Sequence, residues 1–270
     1  MRIKLICCDV FARWAYKTAA ESPNIVDIEL LPMLAHNEPE KLRIDLQDTI
    51  NKAGKVNKPG TDDCIYDRII LAYGLCGNAI AGLTCTVPMI IPRMHDCCAM
   101  FMGSQERFLE VFGQNLSSSW RSFGYLERCL NSTDLNSIDS NGTKTHPDYL
   151  KLLDEYGKED ADYVWDTLHP PPSDNKENKV FYIQMEYEDV EKSFSDFDHS
   201  NPPLHYNHYL NYIEQKKQEG CIVETVKGST TWFTTLINGP WDNKNFLELL
   251  PGHTIKPIYD MKEIFQGTIP

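Results

Sequence analysis

Short apolar runs alternate along the chain with longer segments whose hydrophobic positions recur at helical spacing. The apolar runs predict strands at 3–7, 25–30, 68–72, 89–91, 180–185, 221–226 and 255–258. The amphipathic segments predict helices at 11–20, 39–53, 95–112, 147–168, 203–217 and 230–238, with Asn37 and Asp96 as the N-caps of the second and third. Strands that alternate with helices are typical of a parallel sheet covered by helices. We therefore expect an α/β fold with a Rossmann-like, mostly parallel sheet.

Residues 114–146 interrupt this alternation. They are rich in Ser, Asn and Thr, yet Trp120, Phe123 and Tyr125 indicate ordered structure rather than a simple linker. We expect an α/β half over 1–113, an irregular excursion over 114–146, and a second α/β half over 147–270 packed on the first. The sequence leaves open whether the two halves are similar in fold.

The composition narrows the classes of partner. The 39 acidic and 26 basic residues give a formal net charge of -13, so nucleic acid and anionic membrane surfaces repel the chain at long range. No apolar stretch approaches the roughly 20 residues of a membrane-spanning helix, and the first residues lack a secretion signal. We expect a cytoplasmic protein that binds neither nucleic acid nor membrane.

Three of the nine cysteines stand in turns that follow predicted strands, namely Cys8, Cys76 and Cys97. Because the carboxyl ends of parallel strands meet at one edge of a sheet, we expect these three thiols to lie close together. Thiolates are soft ligands, and a cluster of them is stable when a metal ion uses the charge. The sequence therefore predicts a metal site at this edge.

The other cysteines fall into different classes. A buried free cysteine is usually a small hydrophobic residue, which is our interpretation of Cys64, Cys129 and Cys221. Cys85 and Cys98 stay open, although Cys98 would face the helix core if Cys97 faced the turn. Cys7 should point away from Cys8 because neighbouring strand residues face opposite sides.

Three hypotheses follow for the site. In the first, Cys8, Cys76 and Cys97 bind an iron–sulfur cluster. In the second, His95, Cys97 and one of the other two thiols hold zinc, which activates a substrate thiol; His95 could equally bond backbone at its helix start. In the third, no metal is present and glycine-containing turns, with Gly74, Gly77 and Asn78, hold a small anion or a corrinoid fragment.

A fourth turn, Lys227-Gly228-Ser229, follows a predicted strand and opens a predicted helix. Its free N–H groups could hold a phosphate or carboxylate, although an ordinary capped turn is the favoured interpretation. Three histidines, His199, His205 and His208, cluster near the start of another predicted helix, and we expect them at the surface.

Several stretches of the chain together resemble one known family. They are residues 3–10, residues 70–78, Ile91 to Cys97 followed by Gly103-Ser104, Gly239-Pro240-Trp241-Asp242 and Leu250-Pro251-Gly252. These resemble the prokaryotic family of domain of unknown function 1638, over most of the chain. The family has a small residue followed by Cys in its first motif, which favours Cys8; the doubled cysteines Cys7 and Cys98 depart from the family pattern.

The resemblance implies a metabolic context rather than an activity. Family members occur mainly in anaerobes, often beside corrinoid-dependent methyltransferases. We therefore expect a thiolate metal protein of anaerobic one-carbon or corrinoid-linked methyl-transfer metabolism, with an iron–sulfur cluster ahead of zinc. A zinc-dependent methyl or alkyl transferase and a metal-free binding module are the alternatives. A small-molecule ligand and a corrinoid protein or methyltransferase are the expected partners, and whether the chain is an enzyme is left open.

Overall fold

A computed structural model describes residues 1–33, 35–113, 118–128, 147–168, 179–185, 204–258, 260 and 263–269. Its largest sheet has five strands in the order β2-β1-β3-β4-β8. The first four pair in parallel and β8 joins antiparallel to β4. These strands are Arg2–Cys8 (β1), Ile25–Leu31 (β2), Arg68–Ala72 (β3), Met89–Pro92 (β4) and Phe246–Leu249 (β8). The expected α/β class with a mostly parallel sheet is confirmed.

Two smaller sheets complete the strand inventory of the described residues. A parallel sheet has the order β5-β6-β7, and an antiparallel pair joins β9 to β10. The strands are Ser119–Ser122 (β5), Lys179–Gln184 (β6), Ile222–Lys227 (β7), Thr254–Pro257 (β9) and Phe265–Thr268 (β10). The alternation of apolar and amphipathic segments did not predict β5, β8 or β10. One strand of the five-stranded sheet, β8, belongs to the predicted second half of the chain, 147–270. The division into two halves stays a prediction.

Eight helices lie in the described part of the chain. They are Ala12–Glu21 (α1), Pro39–Ala53 (α2), Cys97–Met102 (α3), Gln105–Phe112 (α4), Phe123–Arg128 (α5), Pro147–Leu168 (α6, kinked at Gly157), Leu204–Gln218 (α7) and Thr231–Asn238 (α8). Short 3-10 turns cover Asp9–Phe11 and Ala35–Asn37.

Three expectations about these helices were wrong. The helix predicted over 95–112 is two helices, because Gly103 adopts φ +94° and Ser104 caps a new start by accepting from the Arg107 N–H. The N-cap of α2 is Glu38 rather than Asn37, and its side chain makes no capping bond. Residues 119–128, expected to be irregular, form β5 and α5.

The five-stranded sheet is covered on both faces, which explains its continuous apolar strands. One face packs against α1, α3, α4 and α8, and the opposite face packs against α2 and the β9–β10 pair. The chain leaves β1 through α1 to reach β2 on one side, then returns through α2 to β3 on the other side of β1. The carboxyl ends of β1 and β3 therefore border a topological switch point, where ligands bind in open α/β sheets.

Among the described helices, none is both long enough and apolar enough to cross a membrane.

Candidate thiol site at the carboxyl edge of the sheet

A small cavity at the switch point brings the three predicted thiols together. Cys8, Cys76 and Cys97 line one space of about 20 Å³, which they share with the aromatic side chains of Tyr73 and Tyr125. The remaining lining residues are Phe11, Pro32, Ala35, His36, Leu42, Ala72 and Met100. Cysteines that are 68 and 21 residues apart along the chain thus line one cavity.

Cys8 reaches the cavity because it is the last residue of β1. The strand alternates its side chains, so Cys7 faces the opposite side and is fully buried in the core beside Leu5 and Val10. The Cys7 thiol donates to the carbonyl of Cys8 at 3.2 Å. The expectation that the two neighbouring thiols point apart is confirmed. Cys7 is part of the buried hydrophobic core.

Cys76 reaches the cavity through an unusual turn. Cys76, Gly77 and Asn78 have φ values of +46°, +64° and +70°, so three successive residues lie in the left-handed region. A non-glycine residue there is strained, and such strain is found where the surrounding structure fixes a functional conformation. The turn is held by Arg43, whose Nη2 donates to the carbonyl of Asn78 at 3.0 Å.

Gly74 allows this turn to pack against the next one. The N–H groups of Leu75 and Cys76 donate to the carbonyls of Met94 and His95 at 3.1 and 3.0 Å. A Cβ atom on Gly74 would lie 2.8 Å from both the Asp96 nitrogen and the Met94 oxygen, which is too close for any side chain. Gly74 therefore holds the Cys76 turn against the turn that carries Cys97.

Cys97 reaches the cavity as the first residue of α3. The Asp96 carboxylate caps this helix by accepting from the Ala99 N–H at 3.0 Å, as expected. The Cys97 thiol lies 3.0 Å from the hydroxyl of Tyr125. Cys98 points to the other side and is buried in the core, which confirms the expectation for this pair.

The surroundings keep these thiols protonated. Burial raises the pKa of Cys8 to about 12, opposed in part by backbone N–H groups and by the buried hydroxyl of Tyr73. Burial also raises the pKa of Cys76 and Cys97, and Asp96 and the neighbouring thiols raise it further. A nucleophilic cysteine needs the opposite environment, with positive charge beside it. This set of neutral thiols near acidic groups is suited to a cation.

The two candidate histidines differ in position. His95 does not line the cavity; its side chain is 44% exposed and its Nδ1 lies 3.7 Å from the Asp96 carboxylate, which raises its pKa. His36, in the 3-10 turn after β2, lines the cavity, and burial lowers its pKa. Sequence reasoning missed His36, Tyr73 and Tyr125. Tyr73 directly follows a predicted strand and carried a usable signal, whereas Tyr125 lay in a segment expected to be irregular.

The remaining cysteines have separate surroundings. The Cys64 and Cys85 thiols donate to the carbonyls of Ala53 and Leu249 at 3.4 and 3.6 Å, and burial raises the pKa of Cys85 to about 11. Cys221 packs beside β6 and α7 in a separate apolar cluster. Cys129 and His199 lie outside the described residues, as do the side chains of His205 and His208.

The Lys227-Gly228-Ser229 turn packs against neighbouring backbone. The N–H groups of Gly228 and Ser229 donate to the carbonyls of Gln184 and Phe101 at 2.8 and 3.0 Å. Both N–H groups are therefore occupied, as in the ordinary capped turn. Ligand binding at this turn, and at Gly77 and Asn78, stays a prediction.

As placed, no group of three or more His, Cys, Asp or Glu side chains in the described part of the chain is arranged to hold a metal ion. Cys8, Cys76 and Cys97 share a cavity without already forming a coordination shell. A metal bound there would have to draw the sulfur atoms inward.

The fold and this cavity define an α/β protein with a cysteine-lined site at the switch point of a mostly parallel sheet. The family model described as protein of unknown function (DUF1638) matches residues 30–199, which is more than half of the chain. The chain belongs to this family, and the matched region includes Cys76 and Cys97. No curated protein and no solved structure matches the chain.

Proposed function

We propose that Cys8, Cys76 and Cys97 bind a single thiophilic metal ion, with zinc as the best fit. The observation that carries the proposal is the convergence of these three cysteines on one cavity at the topological switch point. Zinc accepts thiolate and imidazole ligands in tetrahedral sites, and its bonds to sulfur span about 2.3 Å. A modest inward movement of the turns is therefore part of the proposal.

The size of the cavity favours one ion over a cluster. A space of about 20 Å³ is little more than one water molecule needs. An iron–sulfur cluster adds several iron and sulfide atoms, so the cavity would have to open to receive it. The iron–sulfur hypothesis stays as the alternative that elemental analysis separates from zinc.

The electrostatics of the cavity support a cation. Besides backbone N–H groups, the side chains that act on the three thiols are other thiols, tyrosines and the carboxylates of Asp9 and Asp96. A bound metal ion lowers the pKa of its cysteine ligands and releases their protons. Tyr73 and Tyr125 offer hydroxyl donors that stabilise the resulting thiolates, as groups surrounding metal ligands commonly do.

The group at the fourth coordination position of the metal would decide whether the site is structural or reactive. His36 is the imidazole that shares the cavity, and with it the site would be a closed Cys3His centre. With His36 displaced, zinc would supply an open position at which an acceptor thiol loses its proton. Methyl or alkyl transfer to such a thiol is the reaction class that this site would serve. The one-carbon context and a corrinoid or methyltransferase partner stay predictions from the family.

The experiment is elemental analysis with a visible spectrum on protein purified without oxygen. We expect about one zinc per chain, lost in Cys76→Ser and Cys97→Ser and retained in Cys64→Ser, whose thiol lies outside the cavity. A brown protein that contains iron would overturn the zinc proposal in favour of the iron–sulfur hypothesis. If the folded wild type carries no metal and takes up none on titration, the metal proposal fails and the metal-free binding module remains.

A further inference from the structure

A second, much larger cavity opens beyond the end of β4. Its volume is about 1020 Å³, near the upper end of the range for cavities that hold small organic ligands. Its walls come from the turn after β4, from α4 and α8, and from the segment before β8. The lining residues used below are Arg93, Gln105, Glu106, Trp232, Lys244 and Phe246.

Arg93 supplies positive charge to this cavity. Its Nε donates to the carbonyl of Asn243 at 2.9 Å, and its Nη1 donates to the carbonyls of Glu263, at 2.8 Å, and Phe265. These backbone carbonyls fix the guanidinium without neutralising it. Burial lowers the pKa of Arg93 while Glu263 and Asp260 raise it, and an arginine stays charged throughout.

Three of the four other charged side chains that line the cavity are already engaged, and the fourth, Glu263, is exposed. Lys244 pairs with Glu106 at 2.9 Å. The Asp242 carboxylate accepts from the Asn245 side chain and from the N–H groups of Lys244 and Asn245, at 2.9 to 3.0 Å. The carboxylates of Glu106 and Asp242 are therefore both occupied, and the Lys244 ammonium group is paired.

Gln105 offers a buried donor on the same wall. Its Oε1 accepts from the His95 N–H at 3.0 Å. This bond fixes the orientation of the side-chain amide, whose remaining polar atom is the donor Nε2. Gln105 is only 6% exposed, and Nε2 has no hydrogen-bond partner among the described residues. An unpaired buried donor costs about 1–3 kcal/mol. Nε2 is buried below the cavity surface, so a ligand atom that reaches it and accepts from it would remove that cost.

From these features we propose that the large cavity binds a small organic carboxylate with an aromatic or apolar body. Arg93 supplies the charge for the carboxylate, and the Gln105 amide supplies a directed donor. Trp232 and Phe246 give the apolar wall for the body of the ligand. This proposal is independent of the metal proposal, because it uses other residues and a different cavity.

The cavity also adjoins the thiol site. Arg93 lines the large cavity and Cys97 lines the small one, four residues further along the same turn. Through the bond to the His95 N–H, Gln105 holds that turn in place. A ligand that engages the Gln105 amide therefore contacts the support of the turn that presents Cys97.

The test is a fluorine NMR titration with 4-fluorobenzoate, and with neutral 4-fluorobenzyl alcohol as the matched probe. We expect the carboxylate to bind and the alcohol to bind at least about tenfold more weakly. Gln105→Glu keeps the acceptor for the His95 N–H and replaces the donor by a negative charge, so binding should weaken by about tenfold or more. Arg93→Gln should weaken it similarly.

Two controls make the result decisive. Arg107→Gln removes the same charge from an exposed position of α4 outside the cavity, and should leave binding unchanged. Cys64→Ser changes a thiol that lines neither cavity and should also leave it unchanged. The proposal is overturned if folded wild-type protein does not bind 4-fluorobenzoate at millimolar concentration. Equal binding of the alcohol, or of the Gln105→Glu variant, would overturn it as well.

Discussion

The backbone N–H of Cys76 donates to the carbonyl of His95 at 3.0 Å, which joins the turn after β3 to the turn after β4. Together with the bond from the Leu75 N–H to the Met94 carbonyl, it connects two of the three cysteine-bearing turns through the backbone. The side chains of Cys76 and Cys97 face the same cavity because their turns are held together in this way. The site is thus built by main-chain packing before any ligand is present.

Gly74→Ala tests that packing. Its new methyl group would lie 2.8 Å from backbone atoms of Met94 and Asp96, which cannot move as a flexible side chain would. We expect a loss of about 2 kcal/mol in the free energy of unfolding, measured by urea denaturation. Gly60→Ala is the control, because Gly60 has open space around it and only its φ of +76° opposes a side chain, at about 1 kcal/mol. Equal losses in both variants would contradict the packing role.

The left-handed conformation of Cys76 makes a separate prediction. With φ at +46°, glycine fits this position better than any residue with a Cβ. We therefore expect Cys76→Gly to be more stable than Cys76→Ala by about 1 kcal/mol, although neither variant has the thiol. Thermal unfolding of the two metal-free variants measures the difference. If Cys76→Ala is as stable as Cys76→Gly, the turn is not strained.

The sequence predicted the central strands and the meeting of the three thiols for a physical reason. Buried parallel strands are continuous apolar runs, and the residues after them share one edge of the sheet. Gly103 broke the helix predicted over 95–112, since one left-handed residue ends a helix without disturbing its apolar spacing. His36 and Tyr125 could not be predicted, because their approach to the cavity depends on tertiary packing.

The Cys8 thiol gives a pH dependence with a definite sign. Its pKa rises from 9.0 to about 12 on folding, mainly through burial. The folded state therefore holds this proton more tightly, and the resulting stability is present below pH 9 and is lost as pH rises toward 12. We expect the free energy of unfolding of reduced, metal-free protein to fall between pH 8.5 and 10.5 by about 1 kcal/mol or more, and Cys8→Ala to fall less steeply. Parallel slopes for the two proteins would contradict the raised pKa.

Tyr125 tests whether hydroxyl donors support the thiolates. Its hydroxyl lies 3.0 Å from the Cys97 sulfur, and a thiolate that accepts this hydrogen bond is a better-oriented ligand. Tyr125→Phe should weaken zinc binding by about tenfold, measured by competition with a chelator. Tyr16→Phe removes a hydroxyl from an exposed tyrosine on α1 and should leave zinc affinity unchanged. Unchanged affinity in Tyr125→Phe would assign that hydroxyl a packing role only.

The two histidines distinguish between two coordination shells. His36 shares the cavity with the three thiols, whereas His95 lies outside it and interacts with Asp96. If His36 is the fourth ligand, His36→Ala should lower zinc affinity by at least about tenfold, while His95→Ala should change it little. Cobalt substitution provides a direct readout, since the ligand-field bands of a Cys3His centre shift when the imidazole is replaced by water. The reverse result, with zinc lost from His95→Ala and kept by His36→Ala, would mean that α3 turns at its start to bring His95 inward. In that case the ligand pair two residues apart, His95 and Cys97, would hold the metal, and the open position would face His36.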